Sequence, residues 1–397
     1  MCGYLDFSKA FDKVDHNILM HKLKSLGITG QLGIWVNNFL RNRTQYVQIP
    51  GGVSEIGAVT SGVPQGTVLG PVLFLLLMLD IDSDLKFSKA SSFADDTRLY
   101  SAIKENNQCA ELQKDLLTIY EWANSNNMKF NSHKFQYVSF QSKSSATTNN
   151  TYLSPSNDIL QPTNNVKDLG ILMSSDCTFE EHINNVVKSC SRLVGWVLRT
   201  FSTRVMYTMI TLFKSIILPR LEYGSQLWSP HLQHMINNIE RVQRTFTKYI
   251  TGMYDLSYEE RLKALSLYSL QRRRDRYMII YIWKIIESLV PNLQPKITLT
   301  SSTRRGRLCC KENVPRGRQG TLMFNSFRWQ AIRLFNSLPS SIRNISRVNV
   351  KVFKAKLDSF LSKLRDAPSI PYEKNNIDKR IEEIPLLWRA STADLAV

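Results

Sequence analysis

Short strand-like apolar runs alternate with amphipathic helical patterns in the first part of the chain. Residues 4–7 form such a run, and we expect a strand with Asp6 emerging at its end. Residues 17–26 place their Ile and Leu side chains on one helical stripe, which Gly27 ends. The chain therefore opens with a strand followed by a helix that packs one face on a core.

A glycine pair separates two β-prone runs farther along the chain. Residues 45–49 and 53–59 flank Gly51–Gly52, a pair that tolerates positive φ, so the pattern predicts a hairpin. Residues 68–79 are apolar at almost every position, which predicts a helix buried on all sides.

A second hairpin is predicted with acidic residues at its tip. Residues 87–93 and 98–103 are the strand-like runs, and residues 94–97 (Ala-Asp-Asp-Thr) form the connection between them. Residues 112–122 then carry a helical pattern that an Asn-rich stretch closes. Residues 141–165 shift to Ser, Thr, Asn and Pro, which indicates a loop or a loose hairpin.

The charge balance of the chain indicates a polyanionic partner. The 397 residues carry a formal net charge of +18, from 51 Lys+Arg against 33 Asp+Glu. Nucleic acid is the commonest partner of such a chain, and the alternative is a basic protein without one. The longest apolar run, residues 72–79, is far too short to span a membrane, and the N-terminus lacks the apolar stretch of a signal peptide. We therefore expect an intracellular protein without a membrane partner.

Three local patterns together suggest phosphoryl-transfer chemistry. They are Asp6 at a strand end, the Gly-rich loop of residues 61–67, and Asp95–Asp96 at a hairpin tip. Carboxylates at two separate strand ends can converge on two Mg²⁺ ions, which prefer oxygen ligands and need few of them from the protein. Each pattern alone is more often a solvated turn, a cap or an ordinary loop, so only their order and spacing favour a site.

These residues resemble the motifs of a known family. YLDFSKAFDKVDH, SGVPQGTVLGPVLF and FADDT resemble motifs A, B and C of reverse transcriptases from LINE-like, jockey-group non-LTR retrotransposons. MKFNSHKFQYVSF and VKDLGILMSSDCTF resemble motifs D and E. The resemblance continues in LPRLEYGSQLWSPHLQHMINNIERVQRTFTKYI, FNSLPSSI and VFKAKLDSFL, which are similar to the thumb and C-terminal region of the same elements. It implies an RNA-directed DNA polymerase that extends a primer 3′-OH, with an RNA template, a DNA primer and dNTP as partners.

The resemblance also implies a fold and a division of the chain. The fold class is α+β: a polymerase palm, in which an antiparallel sheet carries helices on one face, followed by helical regions. The expected regions are a palm without fingers over 1–175, a helical thumb or connection over 176–298, a basic linker over 299–321, and a C-terminal helical region with a weakly ordered tail over 322–397.

Family roles carry over to the acidic residues that match. Asp6 and Asp95 would hold two Mg²⁺ ions, with Mn²⁺ as an alternative, and Asp96 would be the neighbouring carboxylate. The backbone carbonyl of Phe7 would assist coordination. Lys134 matches a motif D lysine that can protonate the departing pyrophosphate, and the alternative is a solvent-facing charge.

Other matching residues would contact the nucleotide or the primer. Phe11 occupies the steric-gate position, where an aromatic ring excludes a ribose 2′-OH. Three loop residues would lie at the nucleotide, Pro64, Gln65 and Gly66, and Leu169–Gly170 would form the primer grip.

Two nearby acids are assigned other roles. Asp12 is interpreted as structural, because Phe11 blocks the ribose contact that an acid there would make. Asp15 is interpreted as a helix N-cap.

Basic clusters in the second half are less specific. Nucleic-acid contacts are expected at six arginines, Arg272, Arg273, Arg274, Arg304, Arg305 and Arg307. For Arg272, Arg273 and Arg274 the alternative is a solvated helix face with aromatic residues packed inward. For the last three it is a nuclear-localisation patch.

Only five residues precede Asp6, so we expect an N-terminally truncated element without its fingers. The resemblance implies a nuclear location. Two alternatives stay open: a catalytically inert nucleic-acid-binding remnant, and a maturase of the group II intron type.

Overall fold

A computed structural model of the chain describes residues 1–103, 107–131, 134–140, 152–154, 157–290, 297–302, 306–309 and 318–366. The chain divides into two compact units. The first comprises Met1–Asp168 with Met173–Asp176, and the second comprises Leu169–Leu172 with Cys177–Val397.

The first unit mixes strands and helices. Its helices are α1 (His16–Ser25), α2 (Gly30–Leu40), α3 (Leu69–Met78) and α4 (Asn107–Ser125). Strands β1 to β12 run from its N-terminus to the division between the units: β1 (Cys2–Leu5), β2 (Arg43–Gln45), β3 (Gln48–Ile49), β4 (Gly52–Val53), β5 (Gly57–Val59), β6 (Lys89–Phe93), β7 (Asp96–Tyr100), β8 (Gln136–Val138), β9 (Tyr152–Leu153), β10 (Ile159–Leu160), β11 (Asn165–Asp168) and β12 (Ile171–Ser174).

A four-stranded antiparallel sheet, ordered β6-β7-β1-β8, organises this unit. Side chains alternate along β7, where Thr97 and Leu99 are buried and their neighbours are more exposed. Leu5 and Leu99 share one core cluster with Leu116 of α4 and Phe74 of α3. One face of the sheet therefore packs on helices, as an antiparallel sheet with a single buried face requires. The expected mixed fold with an antiparallel sheet is confirmed.

Both predicted hairpins are present, but the turn differs from the prediction in each. In the second hairpin the connection is Ala94–Asp95 and not residues 94–97, because Asp96 and Thr97 belong to β7. β3 pairs with β4 so that Ile49 faces Gly52, which makes Pro50 and Gly51 the two central residues. Gly51 has a φ of 91°. Proline followed by a residue with positive φ is the pattern of a type II turn, so the turn is Pro50–Gly51 and not the expected Gly51–Gly52 pair.

Residues 69–78 form the expected helix, but the prediction that it is buried on all sides was wrong, because one face is exposed. Helix α3 buries Phe74 and Leu77, but Val68 is 92% exposed and Leu75 and Leu79 are also exposed. These exposed positions lie on the side of the helix opposite its buried stripe. An all-apolar sequence has no polar face, so its pattern could not indicate which side lies inside.

The second unit is mainly helical. Its helices are α5 (Glu180–Thr200), α6 (Met206–Leu212), α7 (Leu218–Glu222), α8 (Ser225–Trp228), α9 (Gln233–Lys248), α10 (Tyr258–Ala264), α11 (Leu270–Ile286), α12 (Arg318–Asn325), α13 (Phe327–Ser337), α14 (Ser340–Arg343) and α15 (Val350–Leu361). A π-helical turn, Phe213–Ile217, joins α6 to α7. The Trp283 indole stacks on Phe353 at 4.3 Å between ring centroids, in the core around α11, α13 and α15.

The predicted basic linker contains a hairpin. Strands β13 (Leu299–Ser302) and β14 (Gly306–Cys309) pair antiparallel. The Asn336 side chain exchanges hydrogen bonds with the backbone of Cys309, and Asn344 Oδ1 accepts from the Arg307 amide. These partners lie far along the sequence, so local composition could not indicate the strand. Residues 303–305 and 310–317 of the linker, and the tail expected to be weakly ordered, residues 367–397, lie outside the described residues.

Within the described part of the chain, no helix has both the length and the apolar character that crossing a bilayer requires.

Candidate active site

The pairing of β1 with β7 brings two carboxylates together. Tyr4 faces Arg98 and Leu5 faces Thr97 in the antiparallel register, and one position farther along stand Asp6 and Asp96. Residues opposite each other in such a pair have Cβ atoms about 5 Å apart. The two acids therefore lie at adjoining strand ends.

Asp95 belongs to the two-residue turn that joins β6 to β7. Phe93 pairs with Asp96, so Ala94 and Asp95 are the central turn residues. Ala94 has a φ of 55°, a left-handed conformation that an L-residue other than glycine seldom adopts. Strain of this kind tends to persist where the surrounding structure holds a functional group in place.

Electrostatic coupling shows that the acids share one environment. Burial raises the pKa of Asp96, and the neighbouring charges of Asp95 and Asp6 raise it further. Lys134 Nζ lies 2.9 Å from Asp6 Oδ2, and this contact raises the pKa of Lys134. The lysine side chain is 64% exposed and that of Asp6 is 21% exposed. One ammonium group and three carboxylates therefore meet at this end of the sheet.

Backbone hydrogen bonds fix the segment that carries Lys134. The Asn131 amide donates to the Asp6 carbonyl at 2.9 Å, and the Ser8 amide donates to the Lys129 carbonyl at 2.8 Å. The Phe7 ring is buried and stacks on Phe130 at 4.4 Å between centroids. Phe7 thus anchors the backbone beside Asp6 in the core.

The donor set suits a hard divalent cation but forms no cage. Among the described residues, no group of three or more His, Cys, Asp or Glu side chains is arranged to hold a metal ion. Mg²⁺ usually takes only one or two carboxylates from a protein and completes its shell with water and phosphate oxygens. Asp6, Asp95 and Asp96 fit that requirement, since their mutual repulsion would be relieved by a cation.

The Gly-rich loop packs directly on the turn that follows β1. The Gly62 amide donates to the Val14 carbonyl at 2.8 Å, and the Val63 amide donates to the Phe11 carbonyl at 2.9 Å. Gly62 has a φ of +87°, and a Cβ at this position would lie 2.8 Å from Asp12 Cα. Only glycine fits this approach, which locks the loop to the Phe11 segment.

Asp12 holds the side chain of Gln65, a contact that sequence reasoning did not find. Gln65 Nε2 donates to Asp12 Oδ1 at 2.9 Å, while the Phe11 ring stacks on Phe74 at 4.4 Å. The structural role expected for Asp12 therefore includes orienting Gln65. These two residues are more than fifty positions apart, and neither carries a local pattern that indicates the contact.

The remaining loop residues lie at the start of α3. Pro64 is half-buried, and its carbonyl accepts from the Thr67 hydroxyl at 2.7 Å. Gly66 is exposed and has a φ of +74°. Asp15 caps α1 by accepting from the amides of Asn17 and Ile18, as expected.

Leu169 and Gly170 form the turn before β12. Both have positive φ, 44° and 84°, which is typical of a two-residue type I′ hairpin turn. The Tyr223 hydroxyl, in the same unit, donates to the Leu169 carbonyl at 2.8 Å. A tyrosine that directly follows α7 thus anchors the turn.

The arginines of α11 do not form the basic surface that the sequence suggested. Arg272 and Arg274 are only 3% and 1% exposed. The Arg272 guanidinium donates to backbone carbonyls at the end of α15 and beyond it. Arg273 pairs with Glu222. Guanidinium groups that are buried or neutralised in this way cannot release counterions from a polyanion.

Of the second basic cluster, one arginine is described. Arg307 forms an ion pair with Glu287 at 2.7 Å and is partly buried. Arg304 and Arg305 lie outside the described residues. The positive charge of Arg307 is therefore balanced within the protein.

Comparison with known proteins finds a family model that matches most of the first unit. Residues 1–173 match the family model described as reverse transcriptase (RNA-dependent DNA polymerase). The chain is similar to the RNA-directed DNA polymerase from mobile element jockey of Drosophila melanogaster, with 28% identity over 261 residues, or 63% of the chain and 28% of that relative. It is also similar to the probable RNA-directed DNA polymerase from transposon X-element of the same organism, with 30% identity over 257 residues and the same shares.

A similarity to solved structures is weaker. Apo telomerase from Candida tropicalis aligns with a TM-score of 0.37 and 10% identity, covering 66% of this chain and 45% of that one. The chain spans 28% of the length of the two Drosophila relatives. Residues 1–173 therefore match the reverse transcriptase family model, and 63% of the chain is similar to RNA-directed DNA polymerases of Drosophila mobile elements.

Proposed function

We propose that the first unit is the palm of a polymerase that copies RNA into DNA, and that the helical region after it serves as thumb and connection. The observation that carries the proposal is the convergence of Asp6, Asp95 and Asp96 with Lys134 at one end of the sheet. The reaction would add a deoxynucleotide to a primer 3′-OH opposite an RNA template.

The carboxylates would hold two Mg²⁺ ions, with the Phe7 carbonyl assisting. When bound there, the ions would stabilise the attacking and departing oxygens of an in-line phosphoryl transfer. The primer 3′-oxygen forms a bond to the α-phosphorus as the bond to pyrophosphate breaks, and the 3′-OH proton passes to solvent. Asp96 is held by its pairing with Phe93, and the Asp6 backbone is held by the Asn131 amide, so both acids have fixed backbone positions before substrate arrives.

Lys134 would supply a proton to the departing pyrophosphate. Its contact with Asp6 raises its pKa, which keeps the amine protonated at neutral pH. Because its side chain is largely exposed, it can turn from Asp6 toward a bound triphosphate.

Phe11 and Gln65 would select and position the nucleotide. The Phe11 ring is braced by Phe74 and would exclude a ribose 2′-OH. Gln65, oriented by Asp12, would lie against the nucleotide, with Pro64 and Gly66 shaping the loop. Leu169 and Gly170 would support the primer.

Primer extension on poly(rA)/oligo(dT) with Mg²⁺ tests the proposal. We expect the full chain to extend the primer, and Asp95→Asn to lower the rate at least a hundredfold while leaving the circular dichroism spectrum unchanged. The Asp82→Asn variant is the matched control, because Asp82 is an exposed acid of the same unit.

Two outcomes would contradict the proposal. Extension by Asp95→Asn at the rate of the unmodified chain would exclude the role of this carboxylate. Binding of the heteroduplex without any extension by the unmodified chain would favour an inert nucleic-acid-binding protein.

A further inference from the structure

The Leu169–Gly170 turn is held on both sides by side chains from the helical region of the same unit. On one side the Tyr223 hydroxyl donates to the Leu169 carbonyl at 2.8 Å. On the other side the Leu172 amide donates to Nδ1 of His182 at 3.2 Å. His182 lies in the first turn of α5, and Leu172 is the second residue of β12. The orientation of the turn therefore depends on both contacts.

Trp228 connects these two contacts. Its indole ring meets the His182 ring edge to face, at 5.4 Å between the ring centroids. Its Nε1 donates to the Tyr223 carbonyl at 2.8 Å, and the side chain is fully buried. His182, Tyr223 and Trp228 therefore form one connected set, which we call the turn frame. All three residues and the segment 169–172 belong to the second unit.

Close packing leaves the segment 169–172 little freedom to move against the turn frame. Gly224 has a φ of +62°, and a Cβ at this position would lie 2.5 Å from Ile171 Cδ1. A Cβ at Gly170 would lie 3.6 Å from the Tyr223 ring. Ile171 itself is buried. Each residue of the segment is therefore either hydrogen-bonded to the turn frame or packed against it or Gly224.

His182 carries a polar group whose burial is not compensated. The side chain is buried, which lowers its pKa and keeps the ring neutral at neutral pH. Because Nδ1 accepts from an amide, the neutral ring carries its proton on Nε2. Nε2 is buried and has no hydrogen-bond partner within the part of the chain that the structure describes. Such a donor lowers stability, so the benefit of a histidine here lies in the acceptor that it offers to Leu172.

We propose that His182 is a positioning residue for the primer, acting through the Leu172 amide on the Leu169–Gly170 turn. Without the Nδ1 acceptor the turn would be held by the Tyr223 hydroxyl alone. Primer binding would then have to order the turn, and the cost of that ordering would appear in the KM for the primer and not in kcat. The primer role rests on the proposed polymerase function, whereas the turn frame is defined by its contacts alone.

Two variants with the same branched shape separate the hydrogen bond from the packing of the ring. His182→Asn keeps an oxygen at the same number of bonds from the backbone as Nδ1, and His182→Leu has no acceptor. Hydrogen–deuterium exchange of the full chain reports on the turn without any need for activity. We expect the Leu172 amide to exchange roughly tenfold faster in His182→Leu, and His182→Asn to restore most of the protection.

Primer extension with the same variants tests the role in the reaction. We expect the KM for poly(rA)/oligo(dT) to rise roughly threefold to tenfold in His182→Leu, which corresponds to the loss of one hydrogen bond. The KM for dTTP and kcat should stay within about twofold of the unmodified chain. His182→Asn should recover most of the primer KM, a rescue that a role in packing alone would not give.

A control variant removes a buried hydrogen bond elsewhere in the same unit. The Thr247 hydroxyl is buried and donates to the Gln243 carbonyl at 2.8 Å within α9. Thr247→Val should lower the free energy of unfolding but leave both the Leu172 exchange rate and the primer KM unchanged. If Thr247→Val and His182→Leu raised the primer KM equally, a general loss of stability would be the cause, and the proposal would be overturned.

The two measurements separate failure of this proposal from failure of the polymerase function. Equal exchange at Leu172 in His182→Leu and the unmodified chain would overturn the proposal, whether or not the chain extends a primer. Faster exchange with an unchanged primer KM would overturn the primer role of His182 and leave the polymerase function standing. If the unmodified chain extended no primer, the polymerase function and the primer role would both fail, and the exchange rates would still decide whether His182 holds the turn.

Discussion

At the scale of single residues, the candidate site depends on what each side chain touches. The acids were identifiable from sequence because they end apolar runs and fit a motif order. The Asp12–Gln65 and Tyr223–Leu169 contacts could not be predicted from the sequence, because each joins residues that only the tertiary fold brings together. The buried state of Arg272 was missed for the same reason, because its guanidinium donates to backbone carbonyls about ninety residues farther along the chain.

The Phe11 ring is expected to set the preference for deoxynucleotides. Phe11→Val shortens the side chain, so we expect the ratio of dNTP to rNTP incorporation to fall at least tenfold, or about 1.4 kcal/mol. Steady-state kinetics with matched dTTP and UTP measure the ratio. Phe11→Tyr keeps a ring and should keep the selectivity.

A second control distinguishes the steric gate from packing. Phe74→Leu removes the ring that Phe11 stacks on but leaves Phe11 itself in place. If Phe74→Leu and Phe11→Val changed selectivity equally, packing rather than a direct clash would be the cause. Unchanged selectivity in Phe11→Val would exclude the gate.

At the scale of elements, hydrophobic periodicity located most strands and helices of the first unit. It located α3 but could not show which side of that uniformly apolar helix is exposed. In the second unit it did not indicate β14, whose backbone is bound by the side chains of Asn336 and Asn344. Hydrophobic periodicity indicates the type of a secondary-structure element and which of its faces is buried. It does not report side-chain partners that arrive from a distant helix.

Two glycines of the Gly-rich loop allow a test of how closely the loop backbone packs on the Phe11 segment. Gly62 and Gly66 both have positive φ, but a Cβ at Gly62 would lie 2.8 Å from backbone atoms of Asp12, whereas one at Gly66 would meet nothing within 4 Å. Gly66→Ala should cost about 1–2 kcal/mol of unfolding free energy from its left-handed conformation alone. Gly62→Ala should cost roughly 1–3 kcal/mol more, because the loop and the Phe11 segment must separate.

Urea unfolding followed by tryptophan fluorescence measures the difference between the two variants. Primer extension adds a second readout, since displacement of the loop should move Gln65 away from Asp12 only in Gly62→Ala. Equal stability losses in the two variants would show that the close approach at Gly62 is not maintained in solution.

At the scale of the whole molecule, the two units are stabilised differently. Both have an apolar core, but the first has an open cluster of acids beside it, whereas the second buries several arginines and acids in its helical core, among them Arg272, Arg274, Glu240 and Asp275. Within α11, Gln271 Nε2 donates to Asp275 Oδ1 at 2.8 Å, and Asp275 is only 3% exposed. The sequence indicated a charged helix face and could not distinguish a solvated charge from a buried one.

Burial raises the pKa of Asp275 to about 7, against the attraction of Arg274. In the unfolded chain this carboxyl has its ordinary pKa of 3.8, so the folded state binds a proton more tightly between the two values. Stability therefore falls as pH rises from about 4 to about 7, because ionising the buried group disfavours the fold. The rise from 3.8 to about 7 corresponds to roughly 4 kcal/mol.

In the Asp275→Asn variant the free energy of unfolding should no longer fall as the pH rises from about 4 to about 7. The variant should match the unmodified chain near pH 4 and exceed it in urea stability by up to roughly 4 kcal/mol at pH 8. Asp255→Asn, at an exposed acid of the same unit, should leave the pH profile unchanged. If Asp275→Asn proved less stable than the unmodified chain at pH 8, the buried carboxylate would be satisfied in its charged form.

The turn at Leu169 and Gly170 has a consequence for how a strand could travel over it. Since the Tyr223 hydroxyl already occupies the Leu169 carbonyl, the tip presents mainly an uncharged leucine side chain, 37% exposed. A nucleic-acid strand resting there would make contacts that have no fixed register. In the proposed role of this turn as a primer support, stepping forward by one nucleotide would exchange one set of apolar contacts with the Leu169 side chain for an equivalent set.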